Sequence, residues 1–191
     1  ENIFTPEELK INFASLNGEH GIAVVTGKVS GSLEIIDFDN HFGDASEVFR
    51  EFISIPEIKE IITRYRLPYE KTAGGGYHLF YRCGKIEGNT KLAVRPRLDD
   101  STKGDTLIET RGEGGYCLIH GSKGYELIFG ELETVSVITE IERDVFLNTC
   151  RSFDETYKIQ KKEEEVKRSK MEMKKVELKE VTLSGDYNDF E

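Results

Sequence analysis

Apolar residues fall into short strand-like blocks along most of the chain and take helical spacing in three stretches. Blocks at 21–25 and 33–38 are β-branched and apolar and flank the turn-rich TGKVSGS, which predicts two strands paired as a hairpin. From 44 to 66 the spacing becomes helical. Val48, Phe49, Phe52 and Ile53 precede Pro56, and Ile58, Ile61, Ile62 and Tyr65 follow it, predicting two helices or one broken helix. Strands are then expected at 69–72, 77–81, 92–94, 106–110, 116–119 and 125–129. Ile141, Val145, Phe146 and Cys150 share one face of a helix expected over 139–153. A further helix is expected over 5–17, with Thr5 as N-cap, Pro6 at the first helical position and Glu8 three residues after the cap. Strands interrupted by helices early and late give an α+β domain.

The pattern fades after residue 155. Residues 156–191 carry nine Lys/Arg and nine Asp/Glu with few large apolar groups, the composition of a charged helix or linker rather than a core. We therefore expect one domain over 1–155 and a linker over 156–191. The sequence opens on Glu1 rather than Met, so a longer parent protein is expected. No run of about 18 apolar residues is present, which argues against a spanning helix and toward a soluble, intracellular protein. Three cysteines, Cys83, Cys117 and Cys150, are far apart and form no CxxC pair, so neither a disulfide framework nor a zinc knuckle is expected.

The net charge of −10 disfavours non-specific nucleic-acid binding by the whole molecule, but the charge is uneven. Residues 59–103 hold ten Lys/Arg against five Asp/Glu, a net of +5. This middle is either a phosphate track or solvated surface.

Three motifs carry candidate chemistry. In LEIIDFDN, Asp37 and Asp39 lie on one side of a strand end, with Ile36 and Phe38 on the other. The pair reads either as a strand end with a capping Asp39 or as a divalent-metal site. In DTLIETRGEGGY, Glu109 and Arg111 share a face, which is either ordinary surface or the completion of a three-carboxylate cage with a guanidinium for phosphate oxygens. In TAGGGYH, the glycines make either a flexible hairpin or a backbone anion cradle, and His78 falls on the face of Phe80 and Arg82. The run fits neither a Walker loop nor a dinucleotide fingerprint.

In their order along the chain, VTGKVSG, IIDFD, KTAGGGYHLFY, IEGNTKLA and IETRGEGGYCLIHGSKGYEL resemble the N-terminal primase-polymerase (prim-pol) domain of the archaeo-eukaryotic primase superfamily, found in phage, plasmid and mobile-element replication proteins. The resemblance runs from about residue 21 to 152. It implies a catalytic core with an RRM-like sheet flanked by helices, and two divalent ions, Mg²⁺ or Mn²⁺, held by Asp37, Asp39 and Glu109. It further implies nucleotide contacts from Gly75, Gly76, His78 and Arg111, with Lys28, Ser30, Ser122 and Lys123 as additional nucleotide or template contacts. The basic middle then becomes a template-facing surface, with Arg64, Arg66, Lys91, Arg95 and Arg97 as candidates. The implied partners are single-stranded DNA and nucleoside triphosphates, with a helicase region in the full-length chain and no membrane. The implied location is the cytoplasm of a bacterium or phage-infected host. Three positions depart from the family's habit. Gly74 stands where a serine is common, Glu109 replaces a commoner Asp, and His120-Gly121 replaces a proline-rich pair.

The expected activity is that of a DNA primase and DNA-directed polymerase. Three carboxylates equally suit a metal-dependent nuclease or phosphohydrolase, and a non-catalytic nucleotide-binding module is the third reading.

Overall fold

The structure is a computed structural model that describes residue 7, residues 21–97 and residues 99–184, with side chains as far as Met173. The helix expected over 5–17 lies outside the described residues. The centre is a sheet in the order β5-β6-β2-β4-β3-β8, formed by β2 (Leu33–Phe38), β3 (Tyr69–Lys71), β4 (Tyr77–Cys83), β5 (Thr90–Pro96), β6 (Gly104–Arg111) and β8 (Glu126–Phe129). All these neighbours are antiparallel, and β9 (Val137–Ile138) adds a parallel pairing to β4. The domain is α+β, as the pattern predicts. β2 is central and buried along its whole length, which is why LEIIDF is nearly continuous in apolar residues.

One face of β2 and β4 presents Ile36, Phe38, Leu79 and Tyr81 to three helices. These are α1 (Ala45–Ser54), α2 (Pro56–Tyr65) and α3 (Glu140–Arg151). Pro56 opens α2 after Ile55 leaves the helical region, so the broken pattern around residue 56 becomes two helices. Thr139 and Glu142 cap α3 reciprocally, each side chain bonding the other residue's backbone. Among the described residues, a buried ion pair enters this layer. Fully buried Glu34 accepts two hydrogen bonds from Arg143, at 2.6 and 2.9 Å, and one from the Tyr81 hydroxyl at 2.7 Å.

The opposite face carries Leu33, Ile35 and Phe80, covered by Cys117 from a two-stranded ribbon of β1 (Ala23–Val25) and β7 (Tyr116–Leu118). This ribbon corrects the expected hairpin between 21–25 and 33–38. Gly27, Gly31 and Ser32 all take positive φ around a 3-10 turn at Lys28–Ser30, so the chain coils instead of reversing flat. β1 is thereby delivered to β7, leaving only a bridge between Gly27 and Leu33. Beyond residue 155 the charged segment is one helix, α4 (Thr156–Ser184), exposed over most of its described side chains, with Thr156 and Ile159 half-buried. Its start is fastened to β5, where Asp154 accepts from the Val94 amide at 2.7 Å and the Glu155 amide donates to the Val94 carbonyl at 2.8 Å. No described helix is long and apolar enough to cross a membrane.

Candidate active site

Strand register builds the site. Lys91 pairs with Glu109, Glu109 with Asp37, Asp37 with His78 and His78 with Glu70, a line of five ionisable residues across five adjacent strands. Register partners project to the same side of a sheet, here the face away from the helices. Asp39 follows directly after β2, and its amide donates to the Leu107 carbonyl at 3.0 Å. Carboxylate oxygens of Asp37, Asp39 and Glu109 all come within 4.8 Å of one another.

Charge compensation among them is unequal. Arg111 donates to Asp37 Oδ2 at 3.0 Å and lies 2.7 Å from Glu109 Oε1. His78 Nε2 is 3.5 Å from Asp37 Oδ1, while its Nδ1 is 2.9 Å from Glu70 Oε1. Burial pushes the Asp37 carboxyl up, but the His78 and Arg111 hydrogen bonds and charges outweigh it and hold the pKa below the ordinary value. Asp39 has weaker help, from His41 at 3.9 Å and from the Arg111 charge. Burial and the Asp37 charge push it up to about 6. Glu109 is raised as well, by burial and by Asp37, against the pull of Arg111 and Lys91. A cluster holding more negative charge than its neighbours neutralise, offering only oxygens, fits a hard divalent cation.

His78 is buried, which alone would disfavour its charged form, yet hydrogen bonds to Asp37 and Glu70 raise its pKa to about 9. A folded value above the unfolded value of about 6.5 means the imidazolium stabilises the fold fully below that pH. The contribution is lost as pH rises through the folded value. The unfolding free energy of the metal-free protein, measured by urea melts between pH 6.5 and 9, is therefore expected to fall with pH, and His78→Gln is expected to flatten that slope.

The glycine run is explained mainly by sterics. The Gly75 amide donates to the Thr72 carbonyl at 2.9 Å and the Gly76 amide to Thr72 Oγ1 at 3.0 Å. Both amides are therefore engaged within the turn. Gly75 has φ +85°, and a Cβ on Gly76 would collide with the Phe38 carbonyl oxygen at the end of β2. Asn40 seals the contact, its side-chain amide donating to the Gly74 carbonyl at 2.9 Å. The hairpin is thus pressed against the strand end that carries the acids. Gly74, Gly76, Asp37, Asp39 and His78 line one cavity of about 330 Å³.

The remaining candidates divide by position. Lys91 is exposed beside Glu109. Arg64 pairs with Glu60 and Glu142 in the helical layer, and Arg66 lies over the Phe129 ring, so neither reaches the acids. Arg95 is tied to Asp44 at 2.6 Å and to Glu155 at 3.4 Å, and Arg97 pairs with Asp99 at 2.9 Å at the surface. Ser122 Oγ accepts from the Ile22 amide and donates back to the Ile22 carbonyl, holding the start of the ribbon. Ser30 Oγ donates to the Val25 carbonyl, and the Lys28 amide donates to Glu113. Lys28 and Lys123 are exposed.

Sequence reasoning missed Glu70, Cys117 and Tyr116. Glu70 is fully buried and also accepts from the His120 amide at 2.7 Å. Its signal was present in the hairpin register, which sets it opposite His78. Cys117 lines a second cavity, of about 350 Å³, with Asp37, His78, Arg111 and Tyr116. Tyr116 is 71% exposed at its edge.

A family model described as bifunctional DNA primase/polymerase, N-terminal (Prim-Pol), matches residues 3–139. The matched span contains the three carboxylates, His78, Glu70 and Arg111. No curated protein matches the chain.

Proposed function

The chain belongs to the bifunctional DNA primase/polymerase family, and from that premise we propose that its domain transfers nucleotides from (d)NTPs onto a primer or initiating nucleotide along single-stranded DNA. The observation that carries this reading is the meeting of Asp37, Asp39 and Glu109 oxygens within 4.8 Å, with His78 on the same face. Asp37, Asp39 and Glu109 would hold two divalent ions, Mg²⁺ or Mn²⁺. Such ions, when bound, supply charge stabilisation at the reacting phosphate and lower the pKa of the attacking hydroxyl.

The chain's own groups supply the rest. Glu70 fixes the His78 ring through Nδ1 and directs Nε2 to the cavity side, where it can donate to a triphosphate oxygen. Arg111 already bridges two of the acids and is placed to donate to phosphate as the acids engage cations. Gly74 and Gly76 keep the hairpin side of the cavity free of side chains. Lys91 and the exposed Tyr116 ring are candidate contacts for template phosphate and base. The catalytic unit in this reading ends near residue 155, where Asp154 and Glu155 fasten to β5.

The experiment is a gel of products from an unprimed and a primed single-stranded template with (d)NTPs and Mg²⁺ or Mn²⁺. Products longer than the primer, with pyrophosphate released, are expected. Shortened template would indicate a nuclease, and nucleotide binding without any product would indicate a binding module; either result overturns the proposal.

A further inference from the structure

The cavity on the ribbon side holds a second donor set. Asp37, His78 and Cys117 offer a carboxylate oxygen, an imidazole nitrogen and a sulfur, all within 4.8 Å of one another, and all three residues are buried. We propose that these atoms form a binding site for a zinc-class transition metal, distinct in chemistry from the all-oxygen cluster but sharing Asp37 with it.

The donor types select the metal. Nitrogen, sulfur and carboxylate oxygen are the ligands zinc takes, whereas Mg²⁺ gains little from a thiol or imidazole. The spacing agrees. A tetrahedral ion bound at about 2.0–2.1 Å holds two such donors roughly 3.4 Å apart. Asp37 Oδ1 and His78 Nε2 are 3.5 Å apart. His78 is also held as metal-binding histidines are, with its other nitrogen 2.9 Å from the buried carboxylate of Glu70. Arg111 occupies Oδ2 of Asp37 and so leaves Oδ1 to the histidine side. The cavity gives a fourth position room for water. On binding, the Nε2 and thiol protons leave to solvent, so the metal is held by neutral imidazole, thiolate and carboxylate.

A consequence rests on the proposed function. Zinc in this site withdraws Asp37 and His78 from catalysis, so zinc inhibits incorporation even with Mg²⁺ in excess. Cys117 takes no part in the oxygen cluster and is the residue that separates the two sites.

Cobalt(II) is the probe. One equivalent added to the metal-free protein is expected to give a thiolate-to-cobalt charge-transfer band in the near ultraviolet and intense tetrahedral visible bands, both removed by one equivalent of zinc. Cys117→Ser is expected to lose the charge-transfer band, with Cys117→Val as a second variant that keeps the ribbon packed. Absence of the band in the unaltered protein, or its persistence in both variants, overturns the site. Cys83 and Cys150 belong to the helix-face core and do not share this cavity. In the incorporation assay, near-stoichiometric zinc is expected to lower the rate about tenfold or more, while Cys117→Ser keeps its Mg²⁺-dependent rate and loses zinc sensitivity. Equal inhibition of both proteins overturns the inhibitory role. A domain without incorporation under any metal would sink the catalytic reading, and the cobalt spectrum would still decide the site.

Discussion

Asp37→Ala is expected to lower template-directed nucleotide incorporation by about a thousandfold or more, because removing a shared cation ligand forfeits several kcal/mol of transition-state stabilisation. The measurement is single-turnover extension of a primed template. Folding should survive, since His78 keeps Glu70 and Arg111 keeps Glu109 as partners. A folded variant that extends primers within tenfold of the unaltered rate would exclude Asp37 from the reaction. Asp39 offers an informative contrast. Its carboxyl is pushed up to about 6 by burial and by the Asp37 charge, so its ionised form is unfavourable in the metal-free fold. The fold tolerates that repulsion where a cation would relieve it.

The second large effect lies on the other face of β2. Glu34→Ala is expected to destabilise the domain by about 3–5 kcal/mol, because Arg143 and the Tyr81 hydroxyl would be left buried without their acceptor. For a domain of this size that corresponds to a fall in Tm of roughly 10 °C. Glu34→Leu combined with Arg143→Met removes both charges together and is expected to recover most of the loss. Calorimetry of the two variants checks this, and equal Tm values for them would show that the loss does not come from stranding Arg143. Neither change touches the acidic face, so extension below the melting range should persist.

The core of this architecture was legible because it rests on local periodicity. Alternation placed Asp37 opposite in direction to Ile36 and Phe38, and it placed His78 with Phe80, as the two clusters of the sheet bear out. Pro56 marked a helix start through backbone chemistry confined to a few residues. What remained hidden depends on partners distant in sequence. The net positive charge of the stretch from 59 to 103 is partly countered from outside it: by Glu142 for Arg64, and by Asp44 and Glu155 for Arg95. Glycine conformations around residues 27–32 redirected β1 to the distant β7, a choice that alternating apolar residues do not encode. Within the run at 74–76, Gly75 and Gly76 do need bare backbone, Gly75 for its positive φ. The cause at Gly76 is the Phe38 carbonyl, a neighbour supplied by another strand.

The five ionisable residues aligned across the strands also bear on how the sheet avoids assembling wrongly. Side chains along a strand alternate between faces, so a slip of β2 by one residue against β4 and β6 would turn Asp37 under the helices and Ile36 toward the ribbon. An unpaired carboxylate beneath Phe49 and Phe52 costs several kcal/mol, far more than a shifted ladder of backbone bonds saves. The proposed catalytic acids thus serve as a proofreading mark on strand alignment during folding, and a chain that pairs its strands incorrectly is penalised at the residues it would need to work.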